Sequence, residues 1–218
     1  MEISFVGHSC FRLRGRDASV VIDPYGKGIG LTTLVPSRFA ADVLAITHDH
    51  PGHNNRAMVG GDPKVISGPG EYEVKGVSVQ GVAAYHDDEQ GARLGRVTMY
   101  SITLDEVVIA HLGDLGHGLS EAQQDQLGTI DVLLLPVGGG NALSATQAMA
   151  VANQLEPKVV IPMHYKLPGL KLDLDEPQHF AAEMGVEQIE YQPKFSLNTR
   201  PANDDMKVVF LEPRSASA

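Results

Sequence analysis

Apolar residues in this chain come in short runs, and the way those runs are spaced changes just before residue 120. In the first half they are strand-length, several alternate with polar positions, and Gly, Pro, Asn or Asp punctuate them, which is the pattern of β-strands. It predicts strands over 3–6, 11–13 and 19–22, with Gly15-Arg16-Asp17 as a turn, and then a continuous apolar strand over 43–46. Further strands are expected at 64–66, 71–74 and 77–84, followed by a hairpin over 96–104 and 106–110 that turns near Leu104-Asp105. From Ser120 onward helical stretches alternate with apolar runs. Ser120 with Gln123, and Ser144 with Gln147, each have the spacing of a capping box, a mark of helix starts. The second of these helices should reach about Leu155, and a third should open at Asp175-Glu176-Pro177 and run to Met184. Buried strands at 131–135 and 158–162 separate the helices, and a last strand covers 206–211. The tail, 213–218, reads as disordered. Strands first, then strands alternating with helices, suits an α/β fold of sheets flanked by helices. No repeat or linker interrupts 1–218, so one domain is expected.

One segment departs from this regular alternation. Thr47-His48-Asp49-His50-Pro51-Gly52-His53 follows directly on the strand 43–46 and carries three histidines. In an extended chain His48 and His50 point the same way. On a helix they would diverge by about 200°, so this is not a helical two-histidine motif. His53 is expected in the first turn of a helix opened by Pro51. The other candidate ligands hold equivalent places: His86 after 77–84, Asp114 after 106–110, and His164 after 158–162. Each lies at the exit of a strand, where open sheets place their functional loops. Taken singly, Asp114 could be a turn residue and His164 a packed core histidine. If the exits share one edge, His48, His50, His53, His86, Asp114 and His164 converge. Imidazoles with one carboxylate suit one or two divalent ions, Zn(II) first and Fe(II) or Mn(II) as alternatives, and a carboxylate can bridge two ions.

Composition narrows the setting. Asp+Glu 27 against Lys+Arg 17 gives a net charge of -10 with no basic stripe, which argues against nucleic acid and leaves a small-molecule substrate, an anionic one included. The single cysteine, Cys10, excludes an intrachain disulfide and reads as a small buried residue. The opening Met1-Glu2-Ile3-Ser4-Phe5 has no signal-peptide character, and no apolar run is long enough to span a bilayer. A cytoplasmic protein without a membrane partner is therefore expected. Nothing in the pattern specifies an oligomer.

The histidine segment, Tyr85-His86-Asp87-Asp88, His111-Leu112-Gly113-Asp114-Leu115-Gly116-His117 and Ile161-Pro162-Met163-His164-Tyr165 resemble the ordered motifs of the metallo-β-lactamase-fold hydrolases. Gly7-His8-Ser9-Cys10-Phe11, Gly68-Pro69-Gly70-Glu71-Tyr72-Glu73 and Leu135-Pro136-Val137-Gly138-Gly139 are similar to a small branch of them related to the ascorbate-phosphate lactonases. The resemblance implies an αββα sandwich of two mixed β-sheets flanked by helices, with a two-metal site between their upper edges. By position, His48, His50 and His86 would hold the first metal and His53 and His164 the second. Asp114 would bridge and position a metal-bound hydroxide for attack on a small ester, lactone or phosphoester.

The chain departs from that family at one place. The usual motif is HxHxDH, and Gly52 stands where its aspartate would bind the second metal. The expectation is a tight first site and a weaker second one, with Asp49, Glu71 or Asp87 as conceivable replacements. The alternative is a metal-binding or sensor module that kept the fold and lost turnover. His8, His111 and His117 are candidates for hydrogen-bonding the ligands or meeting substrate, with ordinary packing an equal reading. His179 reads as surface, and Asp23 as a loop organiser. Gly138-Gly139-Gly140-Asn141 before the second helix reads as a close backbone approach rather than a phosphate loop.

Overall fold

The structure is a computed structural model, and it describes residues 1–202 and 205–214. Its first sheet has the strand order β13-β1-β2-β3-β4-β5. These are Phe195–Ser196, Glu2–Gly7, Cys10–Arg14, Ser19–Ile22, Val43–Ile46 and Lys64–Ser67. The second has the order β14-β11-β10-β9-β8-β7-β6. Its strands are Lys207–Val208, Val159–Met163, Val132–Pro136, Val107–His111, Arg96–Leu104, Val77–Tyr85 and Gly70–Val74. Both sheets are mixed: β3, β4 and β5 are mutually parallel, as are β9, β10, β11 and β14, and their other pairings are antiparallel. A two-stranded piece pairs β12 (Tyr191–Gln192) with β15 (Phe210–Leu211).

Burial explains which runs alternate. β4, β10 and β11 are apolar throughout and buried at every position, as strands covered on both faces must be. β6, at a sheet edge, alternates partly buried with exposed positions instead. The sheets face each other across a core that includes Phe5, Phe11, Ile22, Leu44, Met99 and Leu134. Tyr100 on β8 ties them together, its hydroxyl donating to the Ile46 carbonyl of β4 at 2.9 Å. The result is an α/β sandwich of two mixed sheets with few helices. α1 (Glu121–Leu127), α2 (Ala145–Leu155) and α3 (Pro177–Glu183) all follow β9 in the chain; α1 packs on β7, α2 on β10, and α3 on α2. Both capping boxes form as predicted, with Ser120 and Ser144 as N-caps. No helix among the described residues is long and apolar enough to cross a membrane.

Three local expectations need correction. Residues 51–53 form a turn, not a helix start: His53 N–H donates to the His50 carbonyl at 2.9 Å. A helix would need Asn55 N–H to bond Pro51 O. Here Asn55 N–H goes to Pro24 O at 2.8 Å and Pro51 O takes Gly26 N–H at 2.9 Å, so the loop after β3 claims both groups. The expected strand 206–211 divides at Val209, β14 joining the large sheet and β15 pairing with β12. Strands β12 and β13 were not predicted, being two residues each. The tail residues 215–218 lie outside the described residues.

Candidate metal centre

Strand direction brings the candidate residues to one edge. β1 opposes β2 and β2 opposes β3, so β1 runs with β3 and β4. In the second sheet two reversals return β7 to the direction of β9, which β10 and β11 share. His8 follows β1, His48, His50 and His53 follow β4, His86 follows β7, Asp114 follows β9, and His164 follows β11.

Asp114 is the hub. Its Oδ2 lies 3.0 Å from His53 Nε2, 3.2 Å from His164 Nε2, 3.4 Å from His86 Nε2 and 3.8 Å from His48 Nε2. Its Oδ1 accepts a hydrogen bond from Ser9 Oγ at 3.4 Å. The imidazoles fall into two sets. In the first, the rings of His48, His50 and His86 have centroids 4.6, 4.7 and 5.0 Å apart, and one nitrogen of each lies within 4.8 Å of the others. In the second, His8 stands 4.9 Å from His53 and 4.7 Å from His164, ring to ring. His48 and His53, at 4.1 Å, join the sets.

Hydrogen bonds from behind decide which nitrogen faces inward. Asp23, fully buried, accepts the Thr47 N–H at 2.8 Å and the Thr47 hydroxyl at 2.6 Å. With its proton given to Asp23, Thr47 Oγ1 accepts from His48 Nδ1 at 2.9 Å. Asp23 Oδ2 also accepts from His53 Nδ1 at 2.9 Å. His86 Nδ1 donates to the Asn141 carbonyl at 2.9 Å. In all three rings Nδ1 carries the proton and Nε2 turns toward Asp114, which is how metal-binding imidazoles are oriented. Asp23 thus braces the β4 exit with its side chain and aims two of the rings, His53 directly and His48 through Thr47.

The electrostatics fit a cation. Burial drives His8 strongly and His48 to about 3 toward the neutral ring; it also lowers His50 and His111. Burial opposes charge on His53, but Asp114 and Asp23 outweigh it and raise that ring to about 10. Burial likewise opposes charge on Asp114, and His164 and His53 nonetheless hold its pKa well below the usual carboxylate range. His48 Nε2, His8 Nδ1 and both nitrogens of His164 are buried with no hydrogen-bond partner. Buried polar atoms are normally paired. Several unpaired imidazole nitrogens around one anionic oxygen suit a divalent ion.

The remaining candidates separate cleanly. His111 spends both nitrogens on backbone, Nε2 donating to Ser9 O at 2.9 Å and Nδ1 accepting Gly113 N–H at 3.1 Å. It braces the β9 exit against the β1–β2 turn. His117 caps the end of β7 through Tyr85 N–H at 3.1 Å and donates to Gly118 O at 2.6 Å, away from the hub. His179 is exposed beside Asp175, and Cys10 is buried. Gly138 is the close approach its sequence suggested: a Cβ there would stand 2.2 Å from the His164 carbonyl oxygen. Sequence reasoning gave no weight to Thr47 or Asn141 as orienting groups, since a carbonyl or a preceding threonine leaves no motif.

The family profile described as the β-lactamase superfamily domain matches residues 2–164. A metal-dependent hydrolase of Thermococcus onnurineus is 29% identical over 202 residues, covering 81% of this chain and 90% of its own. A Thermotoga maritima structure, described as a proposed Zn-dependent hydrolase of the metallo-β-lactamase superfamily, is 32% identical with a TM-score of 0.77, covering 97% of this chain and 99% of its own. A metallo hydrolase of Ignicoccus hospitalis shares the fold, at 22% identity and a TM-score of 0.64, over 90% of this chain and 99% of its own.

Proposed function

The chain belongs to the β-lactamase superfamily, as one of its metal-dependent hydrolases, and from that premise we propose that it cleaves a small ester, lactone or phosphoester using zinc, with iron or manganese as alternatives. His48, His50 and His86 would hold one ion and His53 and His164 a second, with Asp114 shared between them. The observation that carries this reading is the single carboxylate oxygen, Asp114 Oδ2, with four Nε2 atoms 3.0 to 3.8 Å away at one sheet edge. When bound, such ions polarise the scissile group and make water a nucleophile near neutral pH.

The chain's own residues prepare that chemistry. Asp114 stays anionic because His164 and His53 offset its burial. Asp23 and the Asn141 carbonyl keep the rings from turning, so little reorganisation remains at the moment of reaction. A cavity of about 160 Å³ opens beside His86, lined by Asp87, Asp88, Arg93, Asn141 and Gln147 among others. Its size supports a small substrate, met in the cytoplasm. A module that lost turnover is not favoured, since the relatives are named as hydrolases.

The test is metal content by plasma mass spectrometry on chelator-free protein, then assays of zinc-loaded protein on p-nitrophenyl acetate, bis-p-nitrophenyl phosphate and a γ-lactone. Turnover of at least one class, lost on chelation and regained with zinc, is expected. Inertness toward all three would remove the substrate reading.

A further inference from the structure

Gly52 leaves a space, and the structure has an imidazole in it. A Cβ built on Gly52 would meet His8 Nε2 at 3.0 Å and His8 Cδ2 at 3.3 Å, before reaching Ile29 at 3.9 Å. The first atoms an aspartate at position 52 would touch therefore belong to the His8 ring. One His8 nitrogen, one His53 nitrogen and one Asp114 oxygen all lie within 4.8 Å of one another. The ring is 1% exposed, and its Nδ1 has no hydrogen-bond partner.

The backbone holds His8 in this position. Gly7 pairs with Cys10 across a two-residue turn, His8-Ser9, with a bulge just before it. His8 takes a positive φ of 55° there, a conformation uncommon outside glycine but several-fold enriched for histidine. Its carbonyl accepts the His164 N–H at 2.8 Å, so the turn is pinned to the β11 exit and the two rings lie side by side, tilted by 39°.

The three carboxylates that sequence offers as replacements are engaged or remote. Asp49 is exposed and accepts from Asn54. Glu71 is exposed on the edge strand β6 opposite Gln80. Asp87 accepts four backbone N–H groups, from Glu89, Gly91, Arg93 and Leu94, at 2.7 to 3.0 Å.

Resting on the two-ion reading above, we propose that His8 takes the place of the missing motif aspartate and completes the second metal site with His53, His164 and Asp114. The exchange swaps an anionic oxygen for a neutral nitrogen. The second ion then has three imidazoles and one shared carboxylate, a donor set that suits zinc. A side chain at position 52 crowds the His8 ring, which must give way for an aspartate to fit there.

The test compares wild type, His8→Ala, His8→Asn, Gly52→Asp and the double variant His8→Ala/Gly52→Asp. Zinc per chain is read by plasma mass spectrometry after dialysis against buffered zinc, and cobalt-substituted protein is read by its visible absorption. Circular dichroism establishes folding, and His8→Asn serves if the alanine variant fails to fold, because asparagine tolerates positive φ. Wild type should hold two ions, and either His8 substitution should leave one, with the second weakened at least about tenfold. The double variant should return to two, whereas Gly52→Asp alone should not gain and should melt lower than wild type. Two ions retained after His8 substitution at unchanged affinity would overturn the proposal while leaving the hydrolase reading intact. A wild type that holds one ion or none would overturn it as well. Two ions in wild type and one in His8→Asn, with no hydrolysis of the assay panel, would uphold His8 and sink the substrate reading instead.

Discussion

The two imidazole sets around Asp114 are built in different ways. His48, His50 and His86 come from two strand exits, and two of the three rings are fixed by hydrogen bonds at Nδ1, to Thr47 and to the Asn141 carbonyl. His8, His53 and His164 come from three exits, and only His53 has such a support, from Asp23. His164 and His8 both lack a partner at Nδ1. A ligand whose ring is already oriented loses less freedom on binding, so the first set should bind more tightly. The difference teaches that rings braced from behind are oriented in advance, whereas a half-site gathered from three exits with one brace depends more on how the sheets meet.

Several experiments would break or sharpen that contrast. The largest effect is expected for Asp114→Asn, which touches both sets: metal should fall below one ion per chain and turnover by about 10³-fold or more. Plasma mass spectrometry with a steady-state assay checks it, and two retained ions would mean that the sets do not share this oxygen. Next, His86→Ala and His164→Ala should behave differently. The first should empty the tight site, and the second should leave one ion, as titration calorimetry would resolve; equal losses would erase the asymmetry. Asp23→Asn acts from behind, on His53 directly and on His48 through Thr47, and should weaken zinc about 10- to 100-fold by competition with a chromophoric chelator.

Acidity probes the same residues without zinc. His8, His48, His50 and His111 have pKa values lowered from the ordinary 6.5. A lowered histidine contributes stability that is complete above its unfolded pKa and is lost as pH falls below it toward the folded value. His53 and His86 are raised, so their contribution is complete below 6.5 and is lost only as pH rises through the folded value, about 10 for His53. Between pH 7 and 5 the lowered group therefore decides the sign, and chelator-treated protein should melt at a lower temperature at pH 5. A melting point that rose on acidification would contradict it. The smallest effect serves as a control: Ser144→Ala removes the α2 cap and should cost about 1 kcal/mol, roughly 2–4 °C of melting temperature, with zinc content unchanged.

Much of the fold, and the identity of the six residues gathered around Asp114 Oδ2 and in the first imidazole set, was legible in the chain. Strand 43–46, the hairpin around Asp105 and both helix caps depend on neighbours within a few residues, and so does the shared direction of His48 and His50. The turn at Asp105-Glu106 shows the mechanism, since both residues take positive φ as a two-residue hairpin demands. Reading a helix at Pro51 went wrong because the competing hydrogen-bond partners, Pro24 and Gly26, belong to a loop some 25 residues away.

By itself the sequence determined where strands end and which ligand-type residues stand at those ends, because hydrophobic period and cap chemistry are local. Only the tertiary structure decided that the exits of β1, β4, β7, β9 and β11 share one edge, that Asp23 reaches His53, and that His8 occupies the space beside Gly52. Those outcomes depend on sheet direction and on the packing of one sheet against the other, and the contacts involved join residues from about 30 to 150 positions apart.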